Sequence, residues 1–303
     1  MVGSARSYGK PTMSRFRQET PDNGSREGPG TEALARFMER HGRLFVLTGA
    51  GCSTASGIPD YRDPAGEWKH ARPVQFADFM ARHSVRQRYW ARSMVGWPRM
   101  AAARPNAAHH ALTVLQERGR IERLVTQNVD GLHQKAGTAD VIDLHGRIDT
   151  VVCMACRAEL SRADWQSEVA ALNPDWERHI GAASARPDGD VDIADADYAG
   201  FVVPPCPRCG GVVKPHVVFF GEAVPRGRVA DARAALGRAD ALLVVGSSLM
   251  VFSGFRFARY AAEAGKAVAI VNRGRTRADE LAALRVDGDC GEVLGAVVEG
   301  GRA

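Results

Sequence analysis

The sequence of 303 residues contains no long apolar run. Runs such as 241–245 (ALLVV) are far shorter than the roughly 20 apolar residues that a membrane-spanning helix needs. No apolar segment follows the N-terminal charges in the manner of a secretory signal. We therefore expect no membrane partner and a cytoplasmic location.

A large excess of charge of one sign is also lacking. Lys and Arg number 40 against 35 Asp and Glu, which gives a formal charge of +5. This small excess is not the basic footprint of a nucleic-acid-binding protein, so a nucleic-acid partner is not expected. The content of 45% hydrophobic and 25% charged residues is typical of a globular protein with one large or two smaller cores.

Cysteines number only six, but four of them form two Cys-x-x-Cys units. Without a secretory signal, such units favour a metal site over disulfides. Four thiolates predict one structural Zn²⁺, because a catalytic zinc keeps a coordination position open. The alternative is a zinc ribbon that binds nucleic acid, but the nearby segment 188–197 is acidic. The predicted ligands are Cys153, Cys156, Cys206 and Cys209.

The pattern along the chain predicts three regions. Residues 1–30 are rich in Gly, Ser, Pro and Arg without periodicity, which predicts a disordered tail; a transit peptide is the alternative. Residues 31–150 and 212–303 alternate helix-like stretches with short apolar runs, which predicts an α/β fold, a Rossmann-like parallel sheet with helices on both faces. Residues 151–211 carry both cysteine pairs, and we expect them to form a small inserted zinc-binding module. The strand-type runs are 43–48, 121–126, 141–144, 241–246 and 267–271.

A glycine-bearing loop follows the first predicted strand. Gly49 and Gly51 allow a tight turn and a close approach to a phosphate, although any strand-to-helix turn can use glycine in this way. Thr54 occupies the place of the third glycine of a dinucleotide fingerprint, and no acidic ribose ligand follows about 20 residues later. These two absences argue against an ordinary hydride-transferring dehydrogenase.

Seven motifs in one order together resemble the sirtuins. The resemblance covers roughly residues 31–295, and stretches at 86–92, 95–98 and 187–191 are similar to the branch that includes the mitochondrial class II members. The motifs are 49–62 (GAGCSTASGIPDYR), 126–133 (TQNVDGLH), 144–146 (LHG), the two cysteine pairs, 218–222 (VFFGE) and 246–249 (GSSL).

The resemblance implies an NAD-dependent protein-lysine deacylase or deacetylase. Such an enzyme consumes NAD as a co-substrate, expels nicotinamide, and releases O-acyl-ADP-ribose and free lysine from an acylated protein or peptide. Protein mono-ADP-ribosylation and a non-catalytic role as an NAD or ADP-ribose sensor are the alternatives.

The resemblance also implies roles for individual residues. His145 is the expected general base, a role that suits an imidazole near neutral pH, although a lone His at a strand end is more often structural. Asn128 is expected beside it in catalysis, and Asp130 beside nicotinamide, although Asp before Gly is usually a turn or helix cap. Cys52 is interpreted as packing. The expected NAD-binding residues are Gly49, Ala50, Gly51, Ser53, Ile58, Pro59, Asp60, Tyr61, Arg62, Gln127, Asn128, Asp130, Gly246, Ser247, Ser248, Asn272 and Cys290.

Two segments, 218–222 and 246–251, are similar to those that clamp a substrate peptide as an added strand. Val218 and Phe219 would contact it, whereas a plain core strand is the alternative. Ser253 stands where much of the family has proline.

Tyr89 and Arg92 are the residues that could indicate which acyl group is removed. Three residues apart on a predicted helix, they face the same way, at a spacing similar to that of sirtuins that remove acidic acyl groups. An Arg fork and a phenol would pair with a carboxylate. The alternative is a solvated helix face, because Arg82, Arg86 and Arg88 crowd the same stretch.

Overall fold

The structure is a computed structural model that describes residues 29–63, 65, 67–69, 73–180, 184–185, 191–193 and 196–300. The predicted tail lies outside the described residues, except that Pro29 and Gly30 begin the first helix. Residues 187–190, part of the class II-like stretch and of the acidic segment, also lie outside them.

The chain alternates strands and helices from its first described residues onward. None of the helices in the described ranges combines the length and apolar character that crossing a lipid bilayer requires. The helices are α1 (Pro29–Arg40), α2 (Phe76–Ala81), α3 (His83–Ala102), α4 (Ala107–Glu117), α5 (Leu132–Lys135), α6 (Arg162–Leu172), α7 (Arg226–Arg238), α8 (Phe252–Glu263) and α9 (Cys290–Gly300). The strands are β1 (Leu44–Thr48), β2 (Ile121–Thr126), β3 (Ile142–Asp143), β4 (Gly146–Cys153), β5 (Glu159–Ser161), β6 (Ser184–Ala185), β7 (Val191–Asp192), β8 (Val213–Val217), β9 (Ala241–Val245), β10 (Ala267–Val271) and β11 (Leu284–Val286).

The main sheet is parallel and has the strand order β11-β10-β9-β1-β2-β3. Its register pairs Thr48 with both Thr126 and Val245, so the carboxyl ends of β1, β2 and β9 are level. The order changes direction at β1, because β2 lies on one side and β9 on the other. Ligands of doubly wound sheets bind at such a switch point, beyond the carboxyl ends of the strands.

Both faces of the main sheet are covered by helices, as predicted. Leu44 and Val46 of β1 belong to the same apolar cluster as residues of α1, α4 and α9. Phe45 and Leu47, which alternate with them, pack in a second cluster with residues of α7 and α8. All four side chains are fully buried, and burying such a side chain contributes about 1.5–3 kcal/mol. The side chains of β1 therefore alternate between the two faces of the sheet and pack against the helices on each face.

A smaller antiparallel sheet, in the order β5-β4-β8, interrupts this architecture. Strand β4 starts at Gly146 and β8 ends at Val217, and these two residues are paired. Trp90 of α3, Trp165 of α6 and Phe201 lie in the apolar cluster of this region, and all three are buried. The small unit therefore joins the main domain through two neighbouring strands.

Candidate active site

A cavity of about 810 Å³ lies at the carboxyl edge of the main sheet. Its wall is formed by the loops after β1, β2, β9 and β10 together with the segment that follows β8. Pro59 and Arg92 are not among its lining residues. The sequence-predicted residues that it brings together are Gly49, Ala50, Gly51, Ser53, Ile58, Asp60, Tyr61, Arg62, Tyr89, Gln127, Asn128, Asp130, His145, Val218, Phe219, Gly246, Ser247, Ser248, Asn272 and Cys290.

The loops after β1 and β9 pack backbone against backbone. The Gly51 N–H donates to the Gly246 carbonyl at 2.8 Å, and Gly246 has φ +61°. A Cβ on Gly246 would lie 2.3 Å from the Cys52 nitrogen, so only glycine fits there. Asn106 ties the same loop to α4, because its Nδ2 donates to the Cys52 carbonyl and to Ser56 Oγ, both at 2.9 Å.

Asn128 and Asp130, from the loop after β2, are hydrogen-bonded to the loop after β1. Asn128 Nδ2 donates to the Gly49 carbonyl and to Ser53 Oγ, both at 3.0 Å, and Ser53 Oγ in turn donates to Asp130 at 2.7 Å. The other Asp130 oxygen accepts from the Leu132 N–H, the first residue of α5. Burial raises the pKa of the Asp130 carboxyl. Asp130 thus accepts a local bond from the N–H two residues later and also lines the cavity, so a turn contact does not keep it from the site.

The hydrogen bonds of His145, which lines the cavity, define the tautomer of its ring. Its Nδ1 lies 2.9 Å from the Gln127 carbonyl, and because a carbonyl only accepts, Nδ1 carries the ring proton. Nε2 is then the unprotonated nitrogen, and it lies 2.8 Å from Ser253 Oγ. Burial lowers the pKa of His145 to about 4, a direction reinforced by Arg228 and Arg256. The imidazole is therefore neutral at physiological pH and can accept a proton at Nε2.

The outer part of the cavity is held by polar contacts between neighbouring loops. Gln127 Nε2 donates to Ser247 Oγ at 2.8 Å. Asn272 Nδ2 donates to the Arg273 carbonyl at 2.7 Å, which leaves its carbonyl oxygen as the other polar group of the side chain. The Cys290 thiol donates to the Val271 carbonyl at 3.8 Å, and burial raises its pKa to about 12. Cys290 thus lies at the cavity with an inert thiol.

The segment after β8 runs past His145. Its Val218 N–H donates to the His145 carbonyl at 2.7 Å, and Phe219 packs at 5.2 Å from Tyr89. Lys214 and Glu222 form a buried ion pair at 3.1 Å, and Glu222 also accepts from the Phe219 N–H at 2.9 Å. This ion pair fixes the turn that carries the predicted substrate residues.

The structure separates the environments of Tyr89 and Arg92. Tyr89 is only 3% exposed and lines the cavity beside Phe79 and Phe219, so it does not belong to a solvated face. Arg92 is half-buried, and its Nε donates to the Val191 carbonyl at 2.5 Å. Only one member of the predicted pair therefore reaches the cavity wall.

The four paired cysteines converge as predicted. The sulfurs of Cys153 and Cys209 are 3.5 Å apart, those of Cys156 and Cys206 are 3.9 Å apart, and all four lie within 4.8 Å of one another. A tetrahedral zinc with Zn–S bonds of about 2.3 Å separates its sulfurs by about 3.8 Å. None of the four lines the cavity. The cluster fits a structural Zn²⁺.

The model of the Sir2 family matches residues 49–253 of the chain. The chain belongs to the Sir2 family. Among its relatives, a protein of Bordetella bronchiseptica called NAD-dependent protein deacetylase is 58% identical over 267 residues, which is 88% of this chain and 97% of the relative. A protein of the same name from Xanthomonas axonopodis pv. citri is 60% identical, over 86% of this chain and 88% of the relative.

Solved Sir2 structures have the same fold as this chain. One of them, described as Sir2 with a p53 peptide and NAD⁺, has a TM-score of 0.72 and 30% identity, and the match covers 89% of this chain and 98% of that one. Another, described as Sir2 bound to acetylated peptide, has a TM-score of 0.72 and 29% identity over the same shares of the two chains.

A second group of possible metal ligands in this Sir2 chain lies beneath the loop after β1. Atoms of Cys52, His109 and His133 lie within 4.8 Å of one another. The Asn106 N–H, however, donates to His109 Nδ1, so the other nitrogen of this neutral ring carries the proton and has no lone pair for a metal. Burial lowers the pKa of His109 to about 4 and that of His133 to about 3. The group is neutral packing, which agrees with the interpretation of Cys52.

Sequence reasoning missed Arg256, which lines the cavity of this Sir2 chain three residues after Ser253. Its guanidinium lies 5.1 Å above the Phe252 ring. The spacing of three residues on α8 places Arg256 on the same helix face as Ser253. This spacing could have predicted that Arg256 lies at the cavity.

Proposed function

We propose that this Sir2 chain is an NAD-dependent protein-lysine deacetylase that uses His145 as its general base. The main support is the state of His145: the ring is neutral, its Nδ1 is fixed by the Gln127 carbonyl, and the residue lines the cavity. The named activity of the relatives that are 58–60% identical supports the same conclusion.

The cavity fits NAD in size, position and chemistry. About 810 Å³ is within the range of roughly 300–1,000 Å³ that ligand pockets occupy. The close backbone approach of the two glycine-bearing loops leaves amide groups and small side chains at the switch point of the sheet. When bound, NAD supplies an electrophilic ribose carbon and nicotinamide as the leaving group. Gly49, Ala50, Ser247 and Ser248 would hold its phosphate and ribose oxygens.

Each residue of the inner cavity then has one task. Asn128 and Asp130 hold the nicotinamide end, and the bond from Ser53 keeps the Asp130 carboxylate in place. Ile58, which is 5% exposed, supplies an apolar surface that excludes water. His145 Nε2 accepts the proton of a ribose hydroxyl when that oxygen becomes the nucleophile. Asn272 and Cys290 would lie beside the adenosine end.

The acylated lysine enters between the segment after β8 and the loop after β9. Residues of both segments line the cavity, as a peptide added between them as a strand would require. Val251 and Phe252 are 37% and 48% exposed at its rim, where an extended peptide would cover them. Phe219 and Tyr89 would contact the acyl group, and the range of acyl groups accepted depends on this wall.

Zinc has a separate task in the proposal. Cys153, Cys156, Cys206 and Cys209 would hold one Zn²⁺ and so stabilise the small sheet, without access to the substrate. Cysteines that bind a metal rather than form disulfides suit a reducing compartment, and we therefore assign the protein to the cytoplasm.

The test is incubation of the purified protein with NAD and a panel of acyl-lysine peptides. We expect nicotinamide, free lysine peptide and O-acyl-ADP-ribose in equal amounts from the acetyl peptide. If none of these products forms with any peptide, the proposal is wrong. Label from the adenylate part of NAD that becomes attached to protein without an acyl peptide would instead identify an ADP-ribosyltransferase.

A further inference from the structure

Ser253 is the second residue of α8, and its hydroxyl lies against the imidazole of His145. The Oγ to Nε2 distance is 2.8 Å. Both residues line the cavity. Ser253 therefore contacts the nitrogen that the proposed function assigns to proton transfer.

The direction of this hydrogen bond follows from the opposite side of the ring. Nδ1 donates to the Gln127 carbonyl, so the neutral ring has its single lone pair at Nε2. The Ser253 hydroxyl must then be the donor and Nε2 the acceptor. The imidazole is held at both nitrogens, by a carbonyl on one side and a hydroxyl on the other.

The two contacts are not equivalent. Gln127 binds through its backbone, which is fixed by its position after β2. Ser253 binds through a hydroxyl that turns about one bond, so it can leave Nε2 without any movement of α8. Because Nε2 has one lone pair, a substrate hydroxyl can reach it only when the Ser253 hydroxyl turns away.

We propose that Ser253 is a positioning residue that holds the His145 ring with Nε2 at the cavity until a substrate hydroxyl replaces it. The proposal rests on the proposed function of His145 and adds a residue to it. No bond is made or broken at Ser253, and its hydroxyl keeps its own proton throughout. The hydroxyl limits rotation of the ring in the free protein, so the base is oriented before the substrate arrives.

The experiment compares Ser253→Ala with Ser253→Thr, which keeps a hydroxyl. Ser84→Ala is the matched control, because Ser84 is also the second residue of a helix and is exposed. Two reactions are followed: exchange of labelled nicotinamide into NAD, which needs cleavage and re-formation of the nicotinamide bond but not the base, and release of free lysine, which also needs the base. The ¹⁵N resonance of His145 Nε2 is recorded for each protein without substrate.

We expect Ser253→Ala to slow lysine release by roughly tenfold, the effect of one hydrogen bond and a less ordered base, with a smaller effect on exchange. The Nε2 resonance of Ser253→Ala should also move. Ser253→Thr should keep most of the native rate of lysine release and a resonance close to the native one. Ser84→Ala should leave both the rate and the resonance unchanged.

An equal fall in exchange and lysine release would mean that Ser253 only supports the fold, and would overturn the proposal. An unchanged lysine release in Ser253→Ala would overturn it too. If the native protein forms no product, the function is wrong; an unmoved Nε2 resonance in Ser253→Ala then overturns the Ser253 proposal separately, whereas a moved one supports the contact.

Discussion

The Ser53 hydroxyl donates a 2.7 Å hydrogen bond to the Asp130 carboxylate, and this bond joins the loop after β1 to the loop after β2. The same carboxylate accepts from the Leu132 N–H at the start of α5. Asp130→Asn keeps the shape of the side chain but replaces one acceptor oxygen by a donor. We expect kcat/KM for NAD to fall by about tenfold or more, because the nicotinamide end loses its fixed partner. Asp140→Asn is the control, since Asp140 is exposed and has φ +50°, which asparagine tolerates. Equal kinetics for the two variants would contradict the role of Asp130.

His145→Ala should remove the proposed general base. Positioned proton transfer contributes about 10²–10⁴-fold, so lysine release should fall by at least about 100-fold. Nicotinamide exchange should survive better, because that step precedes the action of the base. His110→Ala, which changes an exposed histidine on α4, should leave both rates unchanged. Full lysine release in His145→Ala would show that another group is the base.

Acid should destabilise the fold through its buried histidines. Burial lowers the pKa of His109 to about 4 and that of His133 to about 3, whereas the unfolded chain titrates near 6.5. Between about pH 6.5 and these lower values the unfolded state binds more protons, so the free energy of unfolding falls as the pH falls. The slope is about 1.4 kcal/mol per pH unit for each such group.

Denaturant unfolding between pH 4.5 and 7.5, a window of roughly three units chosen to span the shift, measures this slope. His133→Gln should lower the slope by the contribution of about one proton, which is about 1.4 kcal/mol per pH unit. His110→Gln, at an exposed position, should not change the slope. A slope that is the same in all three proteins would show that His133 titrates normally in the folded state.

Zinc should be present at one ion per chain and should be required for stability. Removing it with a strong chelator leaves four thiols without a common partner, and a loss of about 3 kcal/mol would lower the Tm by about 5 °C for a chain of this size. Cys206→Ser should lose the metal, whereas Cys52→Ser should keep it, because Cys52 lies in the other buried group. Metal analysis and thermal unfolding check both. A zinc content well below one per chain in the native protein would contradict the four-cysteine site.

Arg92→Met tests the acyl preference. If the guanidinium pairs with an acidic acyl group, activity should fall by about tenfold on peptides whose acyl group ends in a carboxylate, and much less on acetyl peptides. Arg88→Met, on an exposed position of the same helix, is the control. Equal losses on both peptides would assign Arg92 to support of the backbone at Val191, to which its Nε is bonded.

The sequence predicted the main sheet well because β1, β9 and β10 are largely apolar runs, and β2 keeps apolar residues on both sides of Glu122 and Arg123. The runs at 121–126 and 267–271 coincide with β2 and β10, and the others differ by one or two residues at their ends. Strand β11 was missed because its three residues have Arg285 in the middle, so no apolar run marks it. The parallel arrangement then placed the loops that follow the strands at one edge, where the cavity lies.

Contacts between distant positions could not be predicted. Ser253 and His145 are 108 positions apart, and no local period relates them. Tyr89 and Arg92 illustrate a different limit: residues three apart on a helix still differ by about 60° in direction, and this difference directs one side chain to Phe219 and the other to Val191. Helical spacing indicates a shared face but not a shared neighbour.

The pairing of Gly146 with Val217 has a consequence for how the molecule tolerates change. The small unit leaves and re-enters the main domain at adjacent points, immediately after His145 and immediately before Val218. The bond from the Val218 N–H to the His145 carbonyl closes that junction at 2.7 Å. A change in the described loops of the small unit, away from its contacts with α3, would therefore leave the bond between the Val218 N–H and the His145 carbonyl in place.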